Sequence, residues 1–292
     1  MIKQHWAQIF LKQDFKAIVP LREGKQHQID LVTLVDQSQW ICKRLVNQNW
    51  LGTVDFNSVK LGEDLATKVA QTLGTTFSAA YVIEDLAIIV PYCQGEILEW
   101  VNENQAHRLG RILAQIHSLQ SSTASGKPFP AISVVNSEKM PKWLNTRINY
   151  CNQKRLCLSN QWVLSHRDIH YGNVIWRDEN SPHLIDWEST GLIHPTLELI
   201  GLAQNCAGIA AGRFGVDLFR ATLQGYVVEA GKLPTIDGSV SNLSLHSWLL
   251  WYVHCLRQGW LKESKQVLQR IELISDLGAE IEKNYLDFKG RQ

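Results

Sequence analysis

Residues 164–186 of this 292-residue chain, LSHRDIHYGNVIWRDENSPHLID, gather the side chains best suited to chemistry: Asp168, Asn173 five positions later, and Asp186 thirteen after that. Phosphoryl transfer proceeds through a loose transition state, so a protein catalyses it mainly by positioning reactants and neutralising charge. A carboxylate must orient the attacking hydroxyl, and Asp168 suits that task. A triphosphate travels with Mg²⁺, a hard ion that takes oxygen ligands, and the Asn173 amide oxygen and Asp186 carboxylate supply them. Any one of these residues alone is a common turn or cap residue. The joint spacing, between the apolar runs VLSH and HLIDW, carries the chemistry and predicts a strand, a loop and a second strand bringing the three side chains to one cleft edge.

The rest of the chain must build that cleft. Residues 28–46, QIDLVTLVDQSQWICKRLV, read as a hairpin turning at VDQSQ. In residues 60–73, Leu61, Leu65, Val69 and Leu73 recur at helical spacing. YVIEDLAIIVPY gives two short strands around Glu84-Asp85, stopped by Pro91. From Glu96 onward 3.6-residue periods dominate, with Leu109, Ile112, Leu113, Ile116 and Leu119 forming one stripe; SLQSSTASGKPFP is a loop, and helices follow Pro195. His117, on that stripe, reads as a satisfied core histidine. The pattern predicts an α+β chain: residues 1–92 as a small mixed lobe, 93–292 as a mostly helical one, joined near VPYCQG, with a ligand cleft between them.

Composition narrows the partner. Apolar residues make up 45% and charged residues 20%, a globular composition, and 29 basic against 28 acidic residues leave a net charge of +1. No global field is available to hold nucleic acid or an anionic membrane, so phosphate binding must be local and the partner small. No apolar run approaches a spanning helix and the first residues, MIKQHW, lack a signal core, which predicts a cytoplasmic protein. The six cysteines form no C-x-x-C pair and read as buried thiols, not disulfides or a zinc site.

The segments HRDIHYGNVIW and LIDWESTG resemble the aminoglycoside phosphotransferase and choline kinase superfamily, with His170 and Gly172 completing its H-x-D-x-H-x-G-N form and Trp187-Glu188 following the aspartate as in that branch. The run HPTLELIGLAQ is similar to bacterial thiamine kinases, which carry an acidic residue where Glu198 stands. The resemblance implies a bilobal protein-kinase-like fold, a small β-rich N-terminal lobe before a larger helical one, and use of Mg²⁺ and ATP. Asp168, Asn173 and Asp186 would be catalytic, the latter two as metal ligands, with His166 and His170 supporting the loop. Strand alternation lets either Lys43 or Arg44 face inward; the resemblance implies that Lys43 reaches the phosphates. Glu63 fits the register of its acidic partner, with Asp64 one position away. Gly24 alone, helped by Lys25 or Gln26, would cover the phosphates, and Pro91, Tyr92 and Cys93 would meet the adenine edge.

No protein-docking segment ending in Ala-Pro-Glu follows Asp186, so a small alcohol is the expected acceptor. Trp248, Trp251 and Tyr252, among 11 tryptophans and 7 tyrosines, form an aromatic face of the kind that attracts quaternary cations, and Glu188 would add a counter-charge. Thiamine, then choline or ethanolamine, are the expected acceptors of a monomer or homodimer. The alternatives are an aminoglycoside-type antibiotic phosphotransferase, a catalytically silent nucleotide-binding module, and a metal-dependent hydrolase, which would need further His or Asp ligands near His166.

Overall fold

The structure is a computed structural model, and it describes residues 5–23, 27–119, 126–134, 140–157, 161–235 and 239–289. Two compact units emerge: Met1–Glu96 together with Ile175–Thr190, and Ile97–Val174 together with Gly191–Gln292. The sequence reading drew one boundary at residue 92 and left 175–190 in the second lobe. Backbone and side-chain bonds explain the difference, since Leu184 N–H donates to the Thr75 carbonyl (2.7 Å) and Trp187 Nε1 to Thr76 Oγ1 (3.0 Å). A Cβ at Gly62 would stand 2.3 Å from the Trp187 carbonyl oxygen, so only glycine lets the helix through residue 62 lie against this segment.

In the first unit a short helix α1 (Gln8–Leu11) precedes strands β1 (Phe15–Glu23), β2 (His27–Leu34) and β3 (Gln39–Leu45). Helix α2 (Phe56–Leu73) follows, then β4 (Tyr81–Ile83) and β5 (Ala87–Pro91). The sheet order is β1-β2-β3-β5-β4, with antiparallel pairing throughout. Strand β1 was not anticipated because Pro20 argues against a strand; it is tolerated because β1 is an edge, where a missing N–H breaks no inner ladder, and the register slips beside it. Asp55 caps α2 by accepting from Ser58 N–H at 2.8 Å, and Gly74, at φ 66°, ends it. One sheet face buries Val32, Leu34, Cys42 and Ile89 under Ala7, with Trp6 and Phe10 alongside. The other packs Leu45 and Ile88 with Val54 and Val59.

The second unit is helical. Asn102 and Gln105 form a reciprocal capping box at the start of α3 (Glu103–Ser118), which is followed by α4 (Lys142–Cys157). The short strands β6 (Val163–Ser165) and β7 (Gly191–Ile193) pair antiparallel. Helices α5 (Pro195–Cys206), α6 (Val216–Ala230), α7 (His246–Arg257), α8 (Leu261–Asp276) and α9 (Gly278–Lys289) complete it. The α3 stripe is buried at Leu109, Ile112, Leu113 and Ile116; α3 packs against α5 and α6, which bury Leu199 and Leu202 and Phe219 and Leu223 respectively. Cys42, Cys93, Cys151, Cys206 and Cys255 are buried free thiols. Among the described residues, no helix is long and apolar enough to cross a membrane.

Candidate active site

The second unit holds the loop of the H-x-D-x-H-x-G-N motif. Strand β6 delivers the chain to His166, Arg167 and Asp168, and Arg167 has φ 66°, a left-handed conformation that a non-glycine L-residue adopts only when its surroundings impose it. The imposing group is Glu198 on α5: its buried Oε1 accepts the Arg167 N–H at 2.5 Å. The Arg167 guanidinium is itself buried, which lowers its pKa to about 10 against the pull of Glu198 and Asp168, and it donates to the Lys127 carbonyl at 3.1 Å. Behind the loop, fully buried His166 accepts the Asp168 N–H at its Nδ1 (3.3 Å).

Asn173 closes the other end of the loop. Its Nδ2 donates to the Asp168 carbonyl (3.0 Å) and to Asp168 Oδ2 (3.3 Å), which leaves Oδ1 as the oxygen the side chain can offer a cation. His170 Nδ1 accepts the Gly172 N–H at 3.1 Å and its Nε2 lies 3.9 Å from Asp168 Oδ1, so this ring shapes the turn. The Asp168 side chain is 28% exposed.

Glu198 anchors more than Arg167. Its Oε2 accepts from His117 Nε2 at 3.0 Å, and a carboxylate oxygen can only accept, so Nε2 carries the hydrogen. The Tyr226 hydroxyl lies 2.9 Å from Nδ1 and completes the ring's hydrogen bonding. Burial alone would raise the Glu198 pKa, but His117, Ser165 and His166 hold it below the usual carboxylate range. The expectation of a satisfied core histidine at His117 is met, and through Glu198 it is tied to the loop that carries Asp168.

The first unit holds a second ionic cluster. Lys43 is buried on β3, while Arg44 points the other way, its guanidinium 5.1 Å from the Trp6 ring centroid. Lys43 Nζ donates to Asp186 Oδ1 (2.9 Å) and Glu188 Oε1 (2.8 Å), and these carboxylates overcome the burial that would otherwise lower its pKa. Asp186 itself sits at φ 67°, a second left-handed non-glycine residue in the motif. Glu63 is buried beside this cluster and Asp64 is exposed, which distinguishes the two candidates on α2. Burial, together with the charges of Glu188 and Asp186, pushes Glu63 up to about 7 although Lys43 opposes the shift.

Glu188 is the main correction. The sequence reading gave it to the acceptor as a counter-charge; the structure gives it to Lys43 and to His27, whose Nε2 lies 3.1 Å from the same Oε1. Both donors crowd one oxygen, while Oε2 is buried without a hydrogen-bond partner. An orphaned carboxylate oxygen beside Asp186 fits a hard divalent cation, so Asp186 and Glu188 are the pair in this unit able to hold one. The site offers a pair of carboxylates and no more: no group of three His, Cys, Asp or Glu side chains placed to hold a metal ion occurs among the described residues. His27 escaped the sequence reading because a lone histidine on a strand has no motif. Only the register, which pairs Ile29 with Lys43 and His27 with Leu45, places it on the lysine's face.

The remaining expected residues are scattered over known positions. Pro91 ends β5, Tyr92 N–H donates to the Gln39 carbonyl (3.0 Å), and Cys93 is buried, with its thiol pKa raised by that burial. Gly24, Lys25 and Gln26 lie outside the described residues. On α7, Trp248 Nε1 donates to Gln204 Oε1 (3.2 Å), Trp251 stacks on His254 (centroids 5.4 Å apart), and Tyr252 is buried.

The folds that match are those of small-molecule kinases. Choline kinase LicA from Streptococcus pneumoniae superposes with a TM-score of 0.67 at 15% identity, over 94% of this chain and 96% of that one. Amicoumacin kinase hAmiN, in complex with AMP-PNP, Ca²⁺ and Ami, gives 0.66 at 14% identity over 93% and 94%. Macrolide 2'-phosphotransferase MphH from Brachybacterium faecium gives 0.62 at 14% identity over 91% and 96%. Residues 60–231, more than half of the chain, match the APH model, the phosphotransferase enzyme family, and the chain belongs to that family. No protein of curated function matches the sequence.

Proposed function

We propose that this protein transfers the γ-phosphoryl group of Mg-ATP to the hydroxyl of a small cationic alcohol, thiamine or a choline- or ethanolamine-like compound. The observation that carries the reading is Lys43 held among Asp186, Glu188 and Glu63, a buried site with more negative than positive charge and an unpartnered carboxylate oxygen. Asp186 and Glu188 would hold Mg²⁺, and the ligand role of Asn173 rests on motif spacing. When bound, the ion neutralises charge on the phosphates. Lys43 binds the nucleotide phosphates, and Asp168 takes the proton from the acceptor hydroxyl. Asn173 keeps Asp168 oriented, and the hinge residues Pro91, Tyr92 and Cys93 meet the base.

The acceptor class is supported by the likeness to choline kinase LicA and by the aromatic side chains of α7. An antibiotic acceptor is the second reading, favoured by equally good superposition on amicoumacin kinase and MphH. Purified protein should be assayed with Mg-ATP against thiamine, choline, ethanolamine, an aminoglycoside and a macrolide. Turnover confined to the cationic alcohols supports the first reading, and turnover confined to the antibiotics replaces it.

A further inference from the structure

We propose that His27 is a positioning residue for the divalent cation, pinning one oxygen of Glu188 so that the other is left to the ion. The inference rests on the metal-dependent phosphotransferase reading above. His27 Nδ1 accepts the Val46 N–H at 3.3 Å, so that nitrogen presents its lone pair to the backbone and Nε2 carries the ring hydrogen. Nε2–H therefore donates to Glu188 Oε1 at 3.1 Å. With one nitrogen accepting and the other protonated, the ring is no metal ligand itself; it acts through Glu188.

The geometry assigns the two Glu188 oxygens different duties. Oε1 receives Lys43 and His27, and Oε2, buried and unpartnered, pays a desolvation cost that only an incoming donor or cation offsets. Lys43 cannot be the permanent anchor, because it is shared with Asp186 and the nucleotide phosphates compete for it. His27 has no second acceptor in the cluster to turn to, since its other nitrogen is committed to the Val46 amide. It holds the Glu188 rotamer whether Lys43 is on the carboxylate or on phosphate. Groups that orient a metal-binding carboxylate in this way typically control metal affinity by about 10- to 100-fold.

The test uses full-length protein at saturating ATP, with Mg²⁺ titrated and the melting temperature recorded. His27→Ala and His27→Phe remove the hydrogen bond, the second preserving bulk where the first disturbs folding, and His27→Gln restores an N–H donor near the Nε2 position. The expected result is a half-saturating Mg²⁺ concentration raised about 10-fold or more in the donorless variants, with substantial recovery in His27→Gln. Mg²⁺ dependence unchanged in His27→Ala or His27→Phe overturns the inference, as does a His27→Gln variant as impaired as they are. If wild-type protein gains no stability from Mg²⁺ with ATP, the phosphotransferase reading fails first and this inference falls with it. A normal wild-type response beside unchanged variants removes this inference alone.

Discussion

Each unit buries an ionic cluster around residues of the phosphotransferase motifs, and the two are built differently. In the first, one lysine faces Asp186 and Glu188 with Glu63 beside them, and a carboxylate oxygen is left without a partner. In the second, one carboxylate, Glu198, accepts from the Arg167 N–H on one oxygen and from His117 Nε2 on the other. A buried charge is stable when its partners satisfy it and costly when they do not. Both oxygens of Glu198 have donors, whereas one oxygen of Glu188 has none; on the reading proposed above, that oxygen is the one left for a cation. The proposed chemistry draws on the Lys43 cluster in the first unit and on Asp168 in the second, whose loop Glu198 holds through Arg167.

The largest expected effect breaks the chemistry and leaves both clusters standing. Asp168→Ala should lower turnover by about 10²-fold or more, the range of a positioned general base, with melting temperature and nucleotide binding near wild type. Steady-state kinetics with calorimetry decide it, and near-normal turnover in the folded variant removes the role.

The same carboxylate-to-amide change should then separate the clusters. Glu198→Gln puts an amide N–H₂ where an acceptor was needed and weakens the bonds to Arg167 and His117; we expect a loss of about 2 to 3 kcal/mol of stability, the scale of hydrogen bonds to a charged group. Asp186→Asn removes surplus negative charge instead, so ligand-free stability should stay within about 1 kcal/mol of wild type while Mg²⁺-dependent stabilisation by ATP disappears. Denaturant melts with and without Mg-ATP measure both. Equal stability losses would show that the two clusters do the same structural work.

The contrast also explains what could be read from the chain. The spacing of Asp168, Asn173 and Asp186 is local, and the helix through residues 60–73 and the hairpin of residues 28–46 are periodic, so all were legible. The extension of α2 to Phe56 depends on the Asp55 cap, and β1 was hidden by Pro20. The membership of Ile175–Thr190 in the first unit depends on contacts with Thr75 and Thr76, about a hundred residues away, as the hydrogen bond between Thr76 and Leu184 illustrates (sequence separation 108). The partners of Glu188 were hidden for the same reason: His27 and Lys43 are distant in sequence, and no local pattern announces them.

Acid and base should stress the two units differently. His194 donates from Nε2 to Gln161 Oε1 (3.0 Å) and accepts the Thr196 N–H at Nδ1 (3.2 Å), so a second ring proton would collide with the cap of α5. Burial, with a contribution from His117, lowers its pKa to about 4, and burial does the same to His246. The unfolded chain takes up these protons near pH 6.5 and the native state near 4, so stability is full above 6.5 and falls as pH drops through that window, by about 3 kcal/mol per histidine. Glu63 has the opposite sign. With its native pKa raised to about 7 from 4.5, its penalty is absent below 4.5 and grows as pH rises to about 7. In chelator-treated protein, His194→Asn should flatten the acid limb and Glu63→Gln the neutral one. A His194→Asn curve parallel to wild type between pH 6.5 and 4 would show that His194 is protonated in the native state.

The smallest effect concerns the acceptor, and Trp248 and Trp251 offer the comparison within one helix. Trp248 is tied by its Nε1 hydrogen bond to Gln204, whereas Trp251 leans on the His254 ring and meets Trp260 edge-on, with centroids 6.0 Å apart. A tethered indole contributes to the fold; a stacked one retains a face for a cation, whose attraction to the ring is about 0.5 to 2 kcal/mol. Trp251→Leu should therefore raise KM for a cationic alcohol by roughly 3- to 30-fold with turnover and nucleotide hydrolysis little changed. Trp248→Leu should lower the melting temperature first, because it leaves the buried Gln204 amide oxygen without its donor. Charge supplies the control: a neutral isostere of the alcohol should show the same KM in wild type and Trp251→Leu. A KM that rises equally for charged and neutral alcohols would mean that Trp251 contributes packing alone, and the cation would then have to be recognised by another part of the helical unit.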